Sequence, residues 1–80
     1  MADRLEYSHF KPSVGRIELK PDYIGREHAI AVYFDGRLVI KLLSYPTAVR
    51  HLREGRLDAE LGFPASSLEL PDDLGRWNNL

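Results

Sequence analysis

The pattern of apolar and polar positions is densest over residues 28–43, HAIAVYFDGRLVIKLL. This stretch reads as a β-hairpin closed by Asp35-Gly36, a turn pair whose backbone preference matches strand twist. A simple two-residue turn sets Tyr33 opposite Leu38, Ala31 opposite Ile40 and Ala29 opposite Leu42, a face without charge. The other face carries Ile30, Val32, Phe34, Val39 and Leu43, interrupted by His28, Arg37 and Lys41. A hairpin with one wet face alternates apolar and polar residues more cleanly than this. Both faces are therefore expected to need cover.

Before the hairpin, residues 4–10 alternate loosely as a short strand, and Lys11-Pro12-Ser13 breaks it. From Val14 to Lys20 the alternation is clean: Ile17 and Leu19 face one way, and Arg16, Glu18 and Lys20 the other. That is a half-buried strand, placed at a sheet edge because its outer face is all charge. Pro21-Asp22 and Gly25 then read as a wide connection, with Tyr23 and Ile24 packed beneath it.

After the hairpin, Ser44-Tyr45-Pro46-Thr47 begins a helix, with Ser44 or Tyr45 as cap and Pro46 tolerated in the first turn. It runs to about Glu54 and stops at Gly55. Ala48, Val49 and Leu52 form its apolar stripe. Ala29 and Ala31 leave room for a helix, so it is docked on the charge-free hairpin face. Residues 56–61, RLDAEL, favour a short helical turn over a strand. The tail beyond holds Leu68, Leu70, Leu74, Trp77 and Leu80 in a polar context, so it is expected to dock on the second hairpin face. The expected fold is α+β: an antiparallel sheet of three to four strands, one helix packed on one face, and an irregular or short-helical C-terminal tail.

Eighty residues make a single domain, 1–80. There is no cysteine, which excludes a disulfide framework and fits a reducing compartment. The N-terminal MADRLEYSHF has no apolar run, so no signal peptide is expected, and no segment approaches a membrane span. The net charge of −1 conceals a split. Residues 1–56 hold ten Lys/Arg against seven Asp/Glu, whereas residues 57–80 hold Arg76 against five acids. The acidic end can fold back on the basic part, present its own surface or simply solubilise the chain.

Candidate chemistry is sparse. His9, His28 and His51 have no metal-ligand spacing, and no metal or other cofactor is expected. Asp72-Asp73 follows a proline and reads as a turn or cap. No serine sits in a nucleophile elbow, and no glycine run resembles a phosphate loop. Two constellations remain. One is a basic strip: Arg50, Arg53 and Arg56 on or beyond the helix, joined by Arg37 and Lys41 from the hairpin. The other is Phe34 beside the turn, an aromatic next to Arg37, a pairing enriched at interface hot spots. These six residues are the expected partner contacts.

Residues 14–56, with the strand RIELK, the hairpin AVYFDGRLVIKLL and the short helix PTAVRHLRE, resemble the small phage- and mobile-element-encoded anti-CRISPR proteins. The resemblance implies a non-enzymatic protein-binding inhibitor in the cytoplasm of a bacterial host, monomer or homodimer. It would occupy a CRISPR effector complex, for instance of the Cascade type, and hinder target-DNA binding. Some members are strongly acidic DNA mimics, and this near-neutral chain departs from that type. The alternative is a small nucleic-acid-binding or antitoxin-like regulatory domain, against which a pI ≈ 6.3 weighs. A ribonuclease toxin using His51 ranks third.

Overall fold

A computed structural model describes residues 6–79. Four strands form an antiparallel meander: β1 (Tyr7–Lys11), β2 (Gly15–Ile24), β3 (Glu27–Phe34) and β4 (Arg37–Leu42). Helix α1 (Tyr45–Arg53) follows, then the one-turn α2 (Asp58–Leu61). The tail contains 3₁₀ turns at Ala65–Leu68 and Leu74–Arg76 and a two-residue β5 (Asn78–Asn79). β5 pairs with β1, so the sheet order is β4-β3-β2-β1-β5. The fold is α+β, as expected. Of the strand expected over residues 4–10, residues 4 and 5 lie outside the described residues, as does Leu80.

The turn residues act as their chemistry requires. Asp35 and Gly36 have φ of 50° and 84°, the left-handed pair of a type I′ turn. The Asp35 carboxylate and backbone N–H also bond the Arg16 backbone at 2.9 Å each, tying the tip to the start of β2. Ser44 caps α1: its Oγ accepts from the Thr47 N–H at 3.3 Å, and Pro46 occupies the first turn. Ala48, Val49 and Leu52 are buried, and the helix ends before Gly55. Residues 58–61 are helical, in line with the reading of RLDAEL.

The hairpin register departs from the simple one. Tyr33 does oppose Leu38, but Val32 then opposes Ile40, Ala31 opposes Lys41 and Ile30 opposes Leu42. Val39 is the extra residue of a β-bulge on β4. Beyond it every β4 side chain changes face. Ile40 and Leu42 join Ile30, Val32 and Phe34, while Lys41 joins Ala29 and Ala31. The hairpin thus has one apolar face and one mixed face, not two apolar ones.

This re-sorting corrects the docking scheme. Helix α1 packs on the Ile30/Val32 face, not on the alanine face, and the tail shares that side with it. One core joins Ile17, Leu19, Ile30 and Val32 of the sheet to Ala48, Val49 and Leu52 of α1 and to Leu57, Leu61, Leu68 and Trp77. The Trp77 indole N–H donates to the Pro71 carbonyl at 3.0 Å, which satisfies its one polar atom.

β2 is interior, between β1 and β3, not at an edge. Its charged row faces the side of the sheet that carries no described helix. Nor is the β2–β3 connection wide: Ile24 pairs with Glu27 across a two-residue Gly25-Arg26 turn, with Gly25 at φ 62°. Pro21 lies within β2, opposite Ile30. Among the described residues, pairing with β1 ends at Leu19 and Pro21 has β3 alone as neighbour, a position that tolerates a missing N–H.

Candidate functional site

Two surfaces stand out. The first is an open groove of about 660 Å³ between α1 and the tail. Its α1 wall presents Val49, Arg50, Arg53 and Glu54, the last accepting from Arg56 Nε at 2.8 Å, and its tail wall presents Asp72, Asp73 and Leu74. The walls carry opposite charge. Arg53 Nη1 lies 3.6 Å from Asp72 Oδ2, with both side chains substantially exposed. Asp73 is committed to structure, its Oδ1 accepting from the Gly75 N–H at 2.9 Å. Leu74 packs against the core, and Val49 belongs to it. The acidic tail therefore does fold back on the basic part of the chain, here and again where Lys11 meets Glu69 at 2.9 Å.

The second surface is apolar. Among the described residues, β1 pairs β2 only as far as Leu19, and β4 pairs β3 only as far as Ile30. Among the described residues, β2 and β3 then run on past both neighbours as a two-stranded arm ending at Gly25-Arg26. Tyr23 and Ile24 on the arm are 42% and 45% exposed. Leu43, just past β4 at the same end of the sheet, is 73% exposed. Tyr23 stacks on His28 with ring centroids 5.0 Å apart.

The expected contact residues are dispersed. Arg50 and Arg53 do share the groove. Arg56 lies beyond α1, its Nε donating to Glu54 Oε1 at 2.8 Å. Arg37 is exposed at the hairpin tip. Lys41 lies across the sheet from α1, because the bulge turned it to the helix-free face. Its Nζ donates to the Tyr23 carbonyl at 3.0 Å and sits 3.4 Å from Asp22. The sheet stands between Lys41 and the helix arginines, so the five cations do not form one strip. Phe34 turns toward the core, its ring 4.8 Å from that of Phe63. A Cβ added at Gly15 would come within 2.5 Å of Phe34 Cζ, so the ring fills the space that glycine leaves.

Sequence reasoning missed Tyr23, Ile24 and Leu43. The signal was Gly25-Arg26 between two alternating runs, a turn of the type that takes glycine first. Pro21-Asp22 masked it by resembling a loop.

The Asp22 carboxyl is held below the ordinary carboxylate range, first by the Tyr23 backbone N–H that it accepts at 2.8 Å and then by Lys41. The histidines serve the fold. His51 Nδ1 lies 2.8 Å from the Thr47 carbonyl, which can only accept, so that nitrogen carries the proton. His9 Nε2 bonds the Leu68 carbonyl at 3.0 Å in the same way, fastening the tail to β1. Among the described residues, no group of three or more His, Cys, Asp or Glu is placed to hold a metal ion. No described helix is long and apolar enough to cross a membrane. No family model, no curated protein and no solved structure matches the chain.

Proposed function

We propose that this chain is a non-enzymatic module that binds another protein, in the manner the anti-CRISPR resemblance implies: it seats on a CRISPR effector complex in a bacterial cytoplasm and blocks target DNA sterically. The observation that carries the protein-binding reading is the apolar end of the sheet. Tyr23, Ile24 and Leu43 are all exposed there, Tyr23 beside His28 on one face of the arm and Ile24 beside Glu27 on the other, with Arg26 at the turn. Large exposed apolar side chains at one end of a sheet offer a partner surface, and Tyr and Arg are enriched where binding energy concentrates. The test is capture of purified CRISPR effector complexes by the immobilised chain, together with phage interference in cells. Capture and lowered interference are expected, both weakened at least about tenfold by Ile24→Asp, which puts a charge into a desolvated contact. Failure to capture any effector, with interference unchanged, overturns the proposal.

A second reading, single-stranded nucleic acid on the helix-free face, has one observation in its favour. The Arg16 guanidinium lies 5.2 Å over the exposed Phe10 ring, and Lys20 Nζ lies 5.2 Å from the Tyr33 ring centre. Cations beside aromatic faces are the elements of a base-stacking platform. Glu18 and Asp22 share that face and offset its charge. Oligonucleotide binding that falls steeply with added salt and weakens in Phe10→Ala supports this reading, and the absence of binding removes it.

A further inference from the structure

We infer that the groove between α1 and residues 72–74 binds an extended peptide segment of a protein partner, one that presents a carboxylate and a cationic side chain on either side of an apolar one. This rests on the protein-binding reading above and names the chemistry of a second contact. Three observations converge on it. The groove is open to solvent and about 660 Å³ in volume, a shape suited to a segment lying across the surface rather than a small molecule enclosed within it. Its floor is apolar, from Val49 and Leu74. The α1 wall holds Arg50 and Arg53 with Glu54, whose carboxylate is taken up by Arg56, so it stays net positive opposite Asp72, and a single ligand offers both charges: carboxylate toward Arg50 and Arg53, cation toward Asp72.

The present contact across the groove is replaceable. Arg53 and Asp72 approach only to 3.6 Å, with both side chains largely solvated, and such pairs contribute little. A ligand carboxylate between two guanidinium groups gains charge-assisted hydrogen bonds that this pair lacks. Arg50 has no ion-pair partner among the described residues, so its donors are available. The last turn of α1 carries Arg50 and Arg53, and cations there also complement the negative end of the helix. That accounts for their being cationic; it does not account for the acidic wall built opposite them by a separate segment of chain.

Alternate side chains of an extended peptide share one side, so the probe is the blocked pentapeptide Glu-Gly-Leu-Gly-Lys. The readout is amide shifts of the isotope-labelled full chain. Saturable shifts confined to α1 and the 71–76 segment are expected. Arg50→Gln is expected to weaken binding roughly tenfold, the cost of losing one charge-assisted contact. Asp72→Asn weakens it as well, and the Gln-Gly-Leu-Gly-Gln peptide does not saturate. Added salt lowers the affinity. No saturable shift up to the peptide's solubility, equal binding of the uncharged peptide, or shifts centred elsewhere overturns the inference. The two proposals fail separately: Ile24→Asp leaves pentapeptide binding intact, and a silent pentapeptide leaves capture through the arm standing.

Discussion

The two faces of this one sheet are closed in different ways. On the helix side, Ile17, Leu19, Ile30 and Val32 are buried by other apolar side chains from α1 and the tail. On the opposite side, Ala31 is 0% exposed and Ala29 is 2% exposed, yet no described helix lies there. Lys41 on β4 reaches Asp22 on β2, and that pair must cross β3 between them, above the alanines. Lys20, directly opposite Ala31, leans its stem toward Tyr33. Long polar side chains bury their methylenes and keep their charges wet. Burial of small residues therefore does not imply a packed layer above them. The helix side obtains its stability from area removed from water; the other side is a thin charged cover.

The sharpest way to break this contrast is a cavity on the helix side. Leu52→Ala removes a side chain that is fully buried against both sheet and tail. A loss of about 2–5 kcal/mol is expected by denaturant titration, against a total on the order of 4–12 kcal/mol for a domain of this size. A loss under about 1 kcal/mol would mean that the two faces are equally loose. Next in size is Ala31→Leu. Its extra atoms push up the Lys41–Asp22 cover, which can move because it is solvated. A cost of about 1–3 kcal/mol, below that of Leu52→Ala, is expected. A cost equal to Leu52→Ala would show a rigid layer on that side.

Smaller still is Lys41→Met, which keeps a long apolar stem over the alanines and removes the charge. Its effect on the unfolding midpoint is expected to be near zero, since exposed ion pairs contribute little. Its signature lies instead in the Asp22 titration followed by carboxyl chemical shift. The midpoint is expected to rise in the variant but to remain below the ordinary carboxylate range, because the larger cause, the Tyr23 N–H, is untouched. The sign for stability follows. The folded-state pKa of Asp22 is lowered, so its contribution is present above the unfolded carboxylate range and is lost as pH falls through the folded value. Asp22→Asn accordingly flattens the acid limb of the stability–pH curve slightly and leaves the alkaline limb alone. A changed alkaline limb would point to a different group.

Much of this architecture was legible because single residues dictate it. Asp35-Gly36 is a pair that tolerates left-handed backbone, and it alone places the hairpin bend. Ser44, Pro46 and Gly55 bracket α1 by capping, by the tolerance of proline in a first turn and by the helix stop. The bulge was not legible. Val39 carries no glycine or proline to announce it, and a β-branched residue sits as comfortably in a regular ladder. Once it was missed, Lys41 and Ile40 were sorted to the wrong faces, and the expected basic strip joined cations that the sheet separates. The charged row Arg16, Glu18 and Lys20 was read as an edge, but alternation reports which face is wet, not how many neighbours a strand has. For the site, Arg50 and Arg53 were legible as neighbours three apart on a helix. The acidic wall opposite them was not, since its position depends on where Trp77 and Leu68 anchor the tail.

The extra residue at Val39 has a last consequence, for growth rather than packing. β4 is the outermost strand on its side of the sheet, where an unbroken row of backbone donors and acceptors would invite a further strand and, repeated, a fibre. A bulge puts that row out of step, and Arg37 and Lys41 bracket the irregularity with charge. Excising Val39 would straighten the border while leaving Ile40 opposite Val32 and Leu42 opposite Ile30, so a fluorescent amyloid dye should report assembly of the shortened chain under conditions where the parent gives no signal.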